Sequence, residues 1–382
     1  MRRISLLLSL AVAIALSGCA GTNGLPGETR AITDAATPPP AISNAPEEPP
    51  ATLPHAPEPT PEPTPEPTPE PTPRRESWTL SFAGDCTIGT LHEWQGENGR
   101  HNMLYVMDGN WDYPFSGVAD VFEADDFTMV NLEGTFTERD DPAPKSYRFR
   151  APPEAAQTLL CGGIEAVTLA NNHSGDYREG GHLDTKETLD QIGVLRADDG
   201  APIITQLPDD GPKLGVIACN CVEGATAPGD VEGALERMEP AYDRCREEGC
   251  DFVIAYLHWG WEYHSEPENW QTELAHRLAA LGCDMVIGSH PHILQRAELY
   301  DGVPIAYSLG NFCFGGNSAP RDMDSVILQQ TVLRTQDGFA LGETCFLPCR
   351  VSSADTYNDF CPVLCDESDP AYARVTAKLG LK

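Results

Sequence analysis

The chain has 382 residues, of which 25 are Lys or Arg and 58 are Asp or Glu, so its formal net charge is −33. So acidic a surface repels nucleic acid, and it repels anionic polymers unless a cation or a local basic patch intervenes. We therefore expect no nucleic-acid partner, and after the terminal segments are set apart the length suffices for one large α/β domain.

The chain begins with a predicted export signal. Two arginines precede an apolar run from Ile4 to Leu16, which is shorter than the roughly 20 apolar residues of a transmembrane helix. The run ends in Leu-Ser-Gly-Cys, which resembles the lipobox of bacterial lipoproteins. By that resemblance residues 1–19 are a lipoprotein signal peptide, and Cys19 carries a lipid that tethers the extracytoplasmic protein to the outer face of the cell membrane. The alternative is a secreted protein cut nearby.

Residues 20–75 are predicted to form a disordered stalk, because they are rich in Pro, Thr, Ala and Glu and poor in residues that build a core. From Glu58 to Pro73 the sequence Glu-Pro-Thr-Pro occurs four times. Proline at every second position excludes helix and favours extended polyproline structure, in which this segment would span roughly 50 Å.

The folded domain is predicted over residues 76–350, where apolar, β-rich runs alternate with helical patterns. Helices are expected at Gly233–Glu248 and Trp270–Leu281, each followed by a Gly-Cys-Asp turn. Strands alternating with helices indicate an α/β layered fold. Two late segments without a helix between them predict an antiparallel hairpin, so we expect a two-sheet sandwich. The predicted strand segments are WTLSFAGD, DFTMVNLEG, IEAVTLANNHSGD, KLGVIACN, CDFVIAYLHWGWE, CDMVIGSHPH, VPIAYSLGNF, SVILQQTVL and FALGETCFLPCRV.

Residues 351–382 are assigned to a cysteine-containing C-terminal extension. Twelve cysteines follow Cys19, and four of them form a Cys-x3-Cys, x11, Cys-x3-Cys array. An exported chain can pair its cysteines, but zinc binding and free thiols are also open. The array comprises Cys345, Cys349, Cys361 and Cys365.

Polar residues follow five of the predicted strands at their C-terminal ends, where α/β folds place their sites. Carboxylate, amide oxygen and imidazole together are a ligand set for a divalent cation. A polar network that closes the sheet without a metal is the alternative. The residues are Asp85, Asn131, Glu133, Asn172, His173, His258, His290 and His292.

Seven motifs in order resemble the CapA family of bacterial capsule-synthesis proteins, also called the poly-γ-glutamate synthesis family. They are FAGDCTIG, VNLEGTFT, YRFRAPPE, TLANNHSGDY, LHWGWEY, GSHPHILQ and YSLGNFCF. The resemblance implies a calcineurin-like metallophosphatase fold, a four-layer αββα sandwich with mixed sheets. It also implies a role in synthesis, export or anchoring of a polyglutamate-type surface polymer, with membrane-bound polymer synthase subunits as possible partners.

The resemblance further assigns roles at the strand ends. Asp85 and His292 would hold a first metal, and Glu133 or Asn131 would take the bridging position. His173 would donate a proton to the leaving oxygen. One or two ions are implied, and Mn, Fe, Zn and Mg are not distinguishable. Thr87 stands where the family pattern Asp-x-His has its histidine. A second metal would be held by Asn172, His258 and His290, with possible support for the site from Asn131, Asp176, Glu262 and Asn311.

Three basic residues, Lys145, Arg148 and Arg150, cluster before Ala-Pro-Pro. Arginine pairs bidentately with carboxylates, so Arg148 and Arg150 are predicted to bind an anionic polymer. Salt bridges to the protein's own acids are the alternative.

Three functions remain open from the sequence. The first is a metal-dependent hydrolase or transferase acting at the cell surface during polymer assembly. The second is a non-catalytic binding component of a polymer export complex. The third is a general extracytoplasmic metallophosphoesterase.

Overall fold

The computed structural model describes residues 74–222 and 227–381. The predicted signal peptide, Cys19 and all but the last two residues of the predicted stalk lie outside these ranges. None of the described helices combines the length and apolar character needed to cross a bilayer.

Seventeen strands and seven α-helices make up the described part of the chain. The strands are β1 Ser77–Thr87, β2 Thr90–Leu91, β3 Phe127–Leu132, β4 Thr135–Phe136, β5 Phe149–Ala151, β6 Ala166–Thr168, β7 Leu195–Ala197, β8 Ile203–Gln206, β9 Lys213–Asn220, β10 Phe252–His258, β11 Met285–Ser289, β12 Leu294–Tyr300, β13 Val303–Leu309, β14 Asn311–Phe314, β15 Asp324–Thr335, β16 Gly338–Arg350 and β17 Val363–Leu364. The helices are α1 Met103–Met107, α2 Ala119–Phe122, α3 Gln157–Cys161, α4 Arg178–Ile192, α5 Val231–Glu247, α6 Asn269–Leu281 and α7 Pro370–Lys378.

Two mixed sheets form the centre of the fold. The first has the order β17-β16-β15-β1-β3-β6-β7, with β14 also paired to β1, and the second has the order β12-β13-β11-β10-β9-β8. A small third sheet has the order β2-β5-β4. Strands β1, β3, β6 and β7 run parallel, as do β9, β10, β11 and β13. The C-terminal ends of the central strands therefore lie along one edge of each sheet.

The buried side chains define four layers. One cluster joins the facing sides of the two sheets, with Phe82 on β1 and Ile254 on β10 among its members. A second cluster packs α1 to α4 against the outer face of the first sheet. A third packs α5 and α6, through residues such as Leu235 and Leu274, against the outer face of the second sheet. The predicted αββα sandwich with mixed sheets is confirmed.

An extra residue in β1 sets the position of Asp85. Phe82 pairs with Met129 and Asp85 with Asn131, so three steps along β1 match two along β3. Such bulges redirect side chains beside functional sites. Gly84 lies within this stretch, and a Cβ there would stand 1.9 Å from the carbonyl oxygen of Gly310. Any side chain at position 84 would therefore push β1 away from the segment that precedes β14.

The predicted elements agree closely with the observed ones where the apolar runs are long. The two predicted helices are α5 and α6, and the predicted hairpin is formed by β15 and β16. Gly249 and Gly282, in the Gly-Cys-Asp turns, have φ angles of 74° and 114°, which only glycine adopts readily. The segment IEAVTLANNHSGD contributes a strand of only three residues, Ala166–Thr168.

The C-terminal segment 351–382, set apart by the sequence analysis as an extension, packs into the domain. Strand β17 pairs with β16, and Val375 and Leu379 of the α7 region belong to the core between the sheets. Phe360 is buried in the second cluster. The segment thus covers the edge of the first sheet.

The twelve cysteines after Cys19 are free in the structure, and ten of them are buried. Burial raises the pKa of the Cys365 thiol to about 11, so it remains protonated near neutral pH. Among the described residues, Cys345, Cys349, Cys361 and Cys365 are not gathered into a metal-binding group.

Candidate metal centre

The strand ends deliver the predicted residues to one place between the two sheets. Asp85 lies on β1, Asn131 on β3 with Glu133 just beyond it, and His258 at the end of β10. All eight predicted residues are buried except Asn172, which is half-buried. Parallel strands ending at one edge explain why distant parts of the sequence meet here.

Three of these residues, Glu133, His290 and His292, form what we term the Glu133 cluster. One ligand atom from each lies within 4.8 Å of the others. Both carboxylate oxygens of Glu133 and the Nδ1 atom of His290 are buried without a hydrogen-bond partner among the described residues. Leaving such atoms unpaired costs about 1–3 kcal/mol each. The donor set and its unpaired atoms therefore fit a divalent cation.

Glu133 lies between two groups of candidate ligands. Its Oε1 atom is 3.4 Å from Nε2 of His258, and its Oε2 atom is 4.0 Å from Nδ1 of His292. The same Nε2 atom of His258 lies 2.7 Å from Oδ1 of Asn172. The bridging role that the family resemblance implies for Glu133 or Asn131 stays a prediction.

Asn131 positions its neighbours. Its Nδ2 atom donates to Oδ1 of Asp85 at 2.8 Å and lies 3.2 Å from Nδ1 of His258. Its Oδ1 atom accepts from Nδ2 of Asn171 at 3.0 Å. Asn131 thus holds two predicted ligands in place, and Asn171 is a supporting residue that the sequence analysis missed, although it lies beside Asn172.

The backbone at the two histidines is held in an uncommon conformation. His290 and His292 have φ angles of 95° and 59°, a region that costs free energy for residues other than glycine and recurs at functional sites. The N–H of His290 donates to the carboxylate of Asp85 at 3.3 Å. Nδ1 of His292 lies 2.9 Å from Oδ1 of Asn311 and 3.3 Å from Oδ2 of Asp85.

Burial and neighbouring charges shift the pKa of four residues at this centre. Burial and the neighbouring imidazoles hold the pKa of His258 and His290 well below the ordinary value, so both rings are neutral and keep a free lone pair. Burial and the charge of Asp85 raise the pKa of Glu133. Burial alone lowers the pKa of His292, but Glu133 and Asp85 outweigh it and raise that pKa to about 10.

A second group, the His173 cluster, consists of His173, Asp176 and Lys145. Nδ1 of His173 lies 2.9 Å from Oδ2 of Asp176, and Nζ of Lys145 lies 2.6 Å from Oδ1. The N–H of Phe149 donates to Asp176 at 2.6 Å, and Lys145 also donates to the carbonyl of Asn172. Asp176 thus fixes the orientation of the His173 ring, and Lys145, named in the sequence analysis as one of three clustered basic residues, takes part in this cluster.

The other predicted residues lie around this centre. Side chains alternate along a strand, so Arg148 and Arg150 face away from Phe149, whose ring is 4.6 Å from that of His173. Arg148 pairs with Glu93, while Arg150 donates to the carbonyl of Arg139 and stacks on Tyr177. Their role in substrate binding stays a prediction. Glu262 is exposed, and its charge contributes to the raised pKa of His292.

The chain is similar in sequence to known bacterial proteins. The family model described as bacterial capsule synthesis protein PGA_cap matches residues 79–316. The PGA biosynthesis protein CapA of Bacillus subtilis is 29% identical over 274 residues, which cover 68% of this chain and 69% of that protein. The capsule biosynthesis protein CapA of Bacillus anthracis is 29% identical over 273 residues, which cover 66% and 64%. A probable polyglutamine synthesis accessory protein of Mycobacterium tuberculosis is 30% identical over 240 residues, covering 56% and 62%.

Solved structures of similar fold include two bacterial proteins. A phosphatase from Mycoplasma pneumoniae has a TM-score of 0.44 at 12% identity, covering 78% of this chain and 96% of that one. The calcineurin-like phosphoesterase YfkN from Bacillus subtilis has a TM-score of 0.36 at 12% identity, covering 75% and 94%.

Proposed function

The chain belongs to the bacterial capsule synthesis protein family PGA_cap, and from this premise we propose that it acts in making, exporting or anchoring a poly-γ-glutamate-type polymer. We propose further that it does so as a metal-dependent hydrolase or transferase. The names of the relatives from Bacillus subtilis and Bacillus anthracis support the first statement. The geometry at the strand ends supports the second.

One observation carries the catalytic proposal. The carboxylate of Glu133 is buried, neither of its oxygens has a hydrogen-bond partner among the described residues, and it lies within 4.8 Å of ligand atoms of two histidines. A carboxylate kept only for packing or hydrogen bonding would have partners, because buried charges without them are strongly disfavoured. Glu133, His290 and His292 would hold the ion, with Asp85, His258 and Asn172 adjacent. The bound ion supplies Lewis acidity at the reacting carbonyl or phosphoryl centre.

The chain's own residues supply the proton. Asp176 accepts from Nδ1 of His173, so the ring carries its remaining proton-transfer site at Nε2. The Phe149 ring packs against His173 and restricts access of water from that side. In this arrangement Nε2 of His173 protonates the leaving group as the bond breaks.

A complementation experiment tests the proposal. A host lacking this gene is supplied with the wild-type chain, Glu133→Gln, His173→Ala or the control His276→Ala. His276 is not part of the metal centre, and its Nε2 atom lies 2.7 Å from Oε1 of Glu298. Surface polymer is quantified, and the purified proteins are assayed on γ-glutamyl amide and phosphodiester substrates. We expect polymer and turnover to be lost in the first two variants and kept in the control.

The alternatives give different outcomes in the same experiment. Normal polymer in Glu133→Gln and His173→Ala, with loss on gene deletion, would favour a non-catalytic binding component. Phosphodiester turnover without any change in polymer on gene deletion would favour a general phosphoesterase.

We also propose that Cys19 carries a lipid that holds the protein at the outer face of the cell membrane. The Leu-Ser-Gly-Cys ending behind the apolar run supports this. Cys19→Ser is expected to move the protein from the membrane fraction to the medium or to leave an uncleaved precursor. Unchanged fractionation and processing would contradict the proposal.

A further inference from the structure

We propose that Arg321 binds a carboxylate of the anionic polymer at the mouth of the metal centre. The inference rests on the proposed function, because it assigns a specificity-determining residue to the same site. It also gives the site a cation of its own, placed differently from Arg148 and Arg150.

The path of the chain brings Arg321 to the site. Asn311 and Phe314 of β14 both contact His292, through a hydrogen bond and through rings 5.3 Å apart. The segment that follows leads to Arg321, whose guanidinium carbon lies 4.7 Å from the centre of the Tyr263 ring. That ring is 6.3 Å from the ring of His292. One aromatic ring therefore separates Arg321 from a candidate metal ligand.

Tyr263 is fixed to the metal-binding segment by its backbone. Its N–H donates to the carbonyl of Pro291, between the two histidines, at 2.8 Å. Its φ angle of 62° lies in the left-handed region, which a tyrosine adopts only when its surroundings hold it there. The platform on which Arg321 stacks is thus held in register with His290 and His292.

Arg321 is open to a ligand. It is exposed, and within residues 74–222 and 227–381 it makes no ion pair or hydrogen bond. It lines a cavity of about 570 Å³ together with four aspartates and three other cations, each of which is paired with one of those aspartates. In a chain with a net charge of −33, an arginine without an acidic partner is a natural docking point for an external carboxylate. The three paired cations are Arg350, Arg374 and Lys378.

The chemistry of the surface suits a γ-linked polyglutamate. Guanidinium groups bind carboxylates bidentately while stacking on an aromatic ring. Tyr263 is exposed beside Arg321, and Trp261, two residues before it, is exposed as well, so both offer flat faces for methylenes and amide planes. Glu262 lies between them in the sequence, is exposed and would repel carboxylates, which leaves Arg321 as the anion-binding side of the mouth.

The test measures binding apart from catalysis. A fluorescently labelled oligo-γ-glutamate is titrated into the full chain, and its fluorescence anisotropy gives the Kd for the wild type, Arg321→Ala, Arg321→Lys and Arg100→Ala. Arg100 is the matched control, because it is also exposed, its guanidinium carbon lies 4.7 Å from the centre of the Tyr357 ring, and it has no ion pair with any residue that the structure describes. The same oligomer with amidated carboxyl groups serves as the uncharged probe.

We expect Arg321→Ala to raise Kd about tenfold, as loss of one charge-assisted pair does, Arg321→Lys to lie between, and Arg100→Ala to match the wild type. The amidated probe should bind all four proteins equally weakly. Equal affinity of Arg321→Ala and wild type, an equal loss in Arg100→Ala, or no binding of the charged oligomer by the wild type would overturn the inference. The polymer yield of the Glu133 and His173 variants judges the proposed function separately.

Discussion

The Glu133 cluster and the His173 cluster lie side by side, but their buried carboxylates differ in hydrogen bonding. Asp176 is buried and accepts from His173, Lys145 and the N–H of Phe149. Glu133 is equally buried, and neither of its oxygens has a hydrogen-bond partner among the described residues. Both carboxylates lie in loops that follow strands, and both are fully buried, so burial alone does not distinguish them.

The two carboxylates differ in whether the chain supplies their hydrogen-bond partners. Asp176 is stabilised by groups that the chain itself provides, so its cluster is complete without a ligand. Glu133 has only the nearby imidazoles of His258 and His292 to offset its burial and no hydrogen bond, so an added cation or proton would stabilise it. Experiments that remove either carboxylate should therefore have different consequences for folding and for metal binding.

The largest expected effect is that of Asp176→Ala on folding. The change removes the acceptor of two buried donors, the His173 ring and the N–H of Phe149, while the half-buried Lys145 keeps the carbonyl of Asn172. Each unsatisfied buried donor costs about 1–3 kcal/mol, so we expect the free energy of unfolding to fall by about 3 kcal/mol or more. Urea unfolding of the metal-free protein measures it. The control is Asp190→Ala, because Asp190 is exposed and pairs with Arg196 at 3.0 Å, and such pairs contribute at most about 1 kcal/mol. Equal costs for the two variants would mean that the His173 cluster is not a completed network.

The next effect is the stabilisation that a metal confers through Glu133. At a free Mn²⁺ or Zn²⁺ concentration about a hundredfold above Kd, the wild type should gain about 2.7 kcal/mol relative to chelator-treated protein. Glu133→Gln should lose this gain while keeping the stability of the metal-free wild type, because burial already favours the protonated form of Glu133.

Thermal unfolding with and without metal provides the measurement, and His276→Ala should keep the full gain. A metal-dependent gain that persists in Glu133→Gln would contradict the assignment of Glu133 as a ligand.

Asp198 gives a pH-dependent contrast outside the site. Burial raises its pKa, but the hydrogen bond and charge of His182, together with Lys186, outweigh burial and lower the pKa from 3.8 to about 2. A lowered pKa contributes stability that is present above 3.8 and lost as the pH falls toward about 2, here about 2 kcal/mol. Asp198→Asn should flatten the stability–pH curve in this window. An unchanged slope would show that the pairing is not retained in solution.

The smallest expected effect is that of Thr87→Val. The hydroxyl of Thr87 is buried without a hydrogen-bond partner in the described part of the chain, so replacing it with a methyl group should change stability by less than about 1 kcal/mol. Because Thr87 is outside the Glu133 cluster, the metal-induced rise in Tm should match that of the wild type. A reduced rise would make Thr87 a ligand in the place of the family histidine.

Sequence patterns predicted the frame of this molecule well. Long apolar runs gave the central strands and the helices α5 and α6, because periodicity is strong where one face is buried. The strand-end residues from Asp85 to His292 were also expected to lie close together, since parallel strands must end together, and they do. Their roles as metal ligands stay a prediction. Some elements were missed. Helix α4 has 15 residues but a polar sequence with little amphipathic pattern, and β2 is only two residues long.

What sequence could not supply is the direction of side chains and the identity of their partners. Lys145, Arg148 and Arg150 look alike in sequence, yet Lys145 bonds to Asp176 while Arg148 pairs with Glu93. Arg321 belongs to no sequence motif. Its place beside Tyr263 depends on the course of the loop 315–323, which no sequence pattern predicts. The same holds for Asn171, whose support of Asn131 is a long-range contact.

The pairing of β1 affects the order in which this domain folds. Ser77 to Phe82 pair with residues from Leu328 to Leu333, and Asp85 pairs with Asn311 as well as with Asn131, so two of the three partner strands of β1 lie more than two hundred positions later. Such distant pairings make folding slow, because long loops must close before contacts reward the closure. The metal centre would therefore be assembled late. A chain that is synthesised or exported from its N-terminus would lack a complete site until β14 and β15 are available to pair with β1.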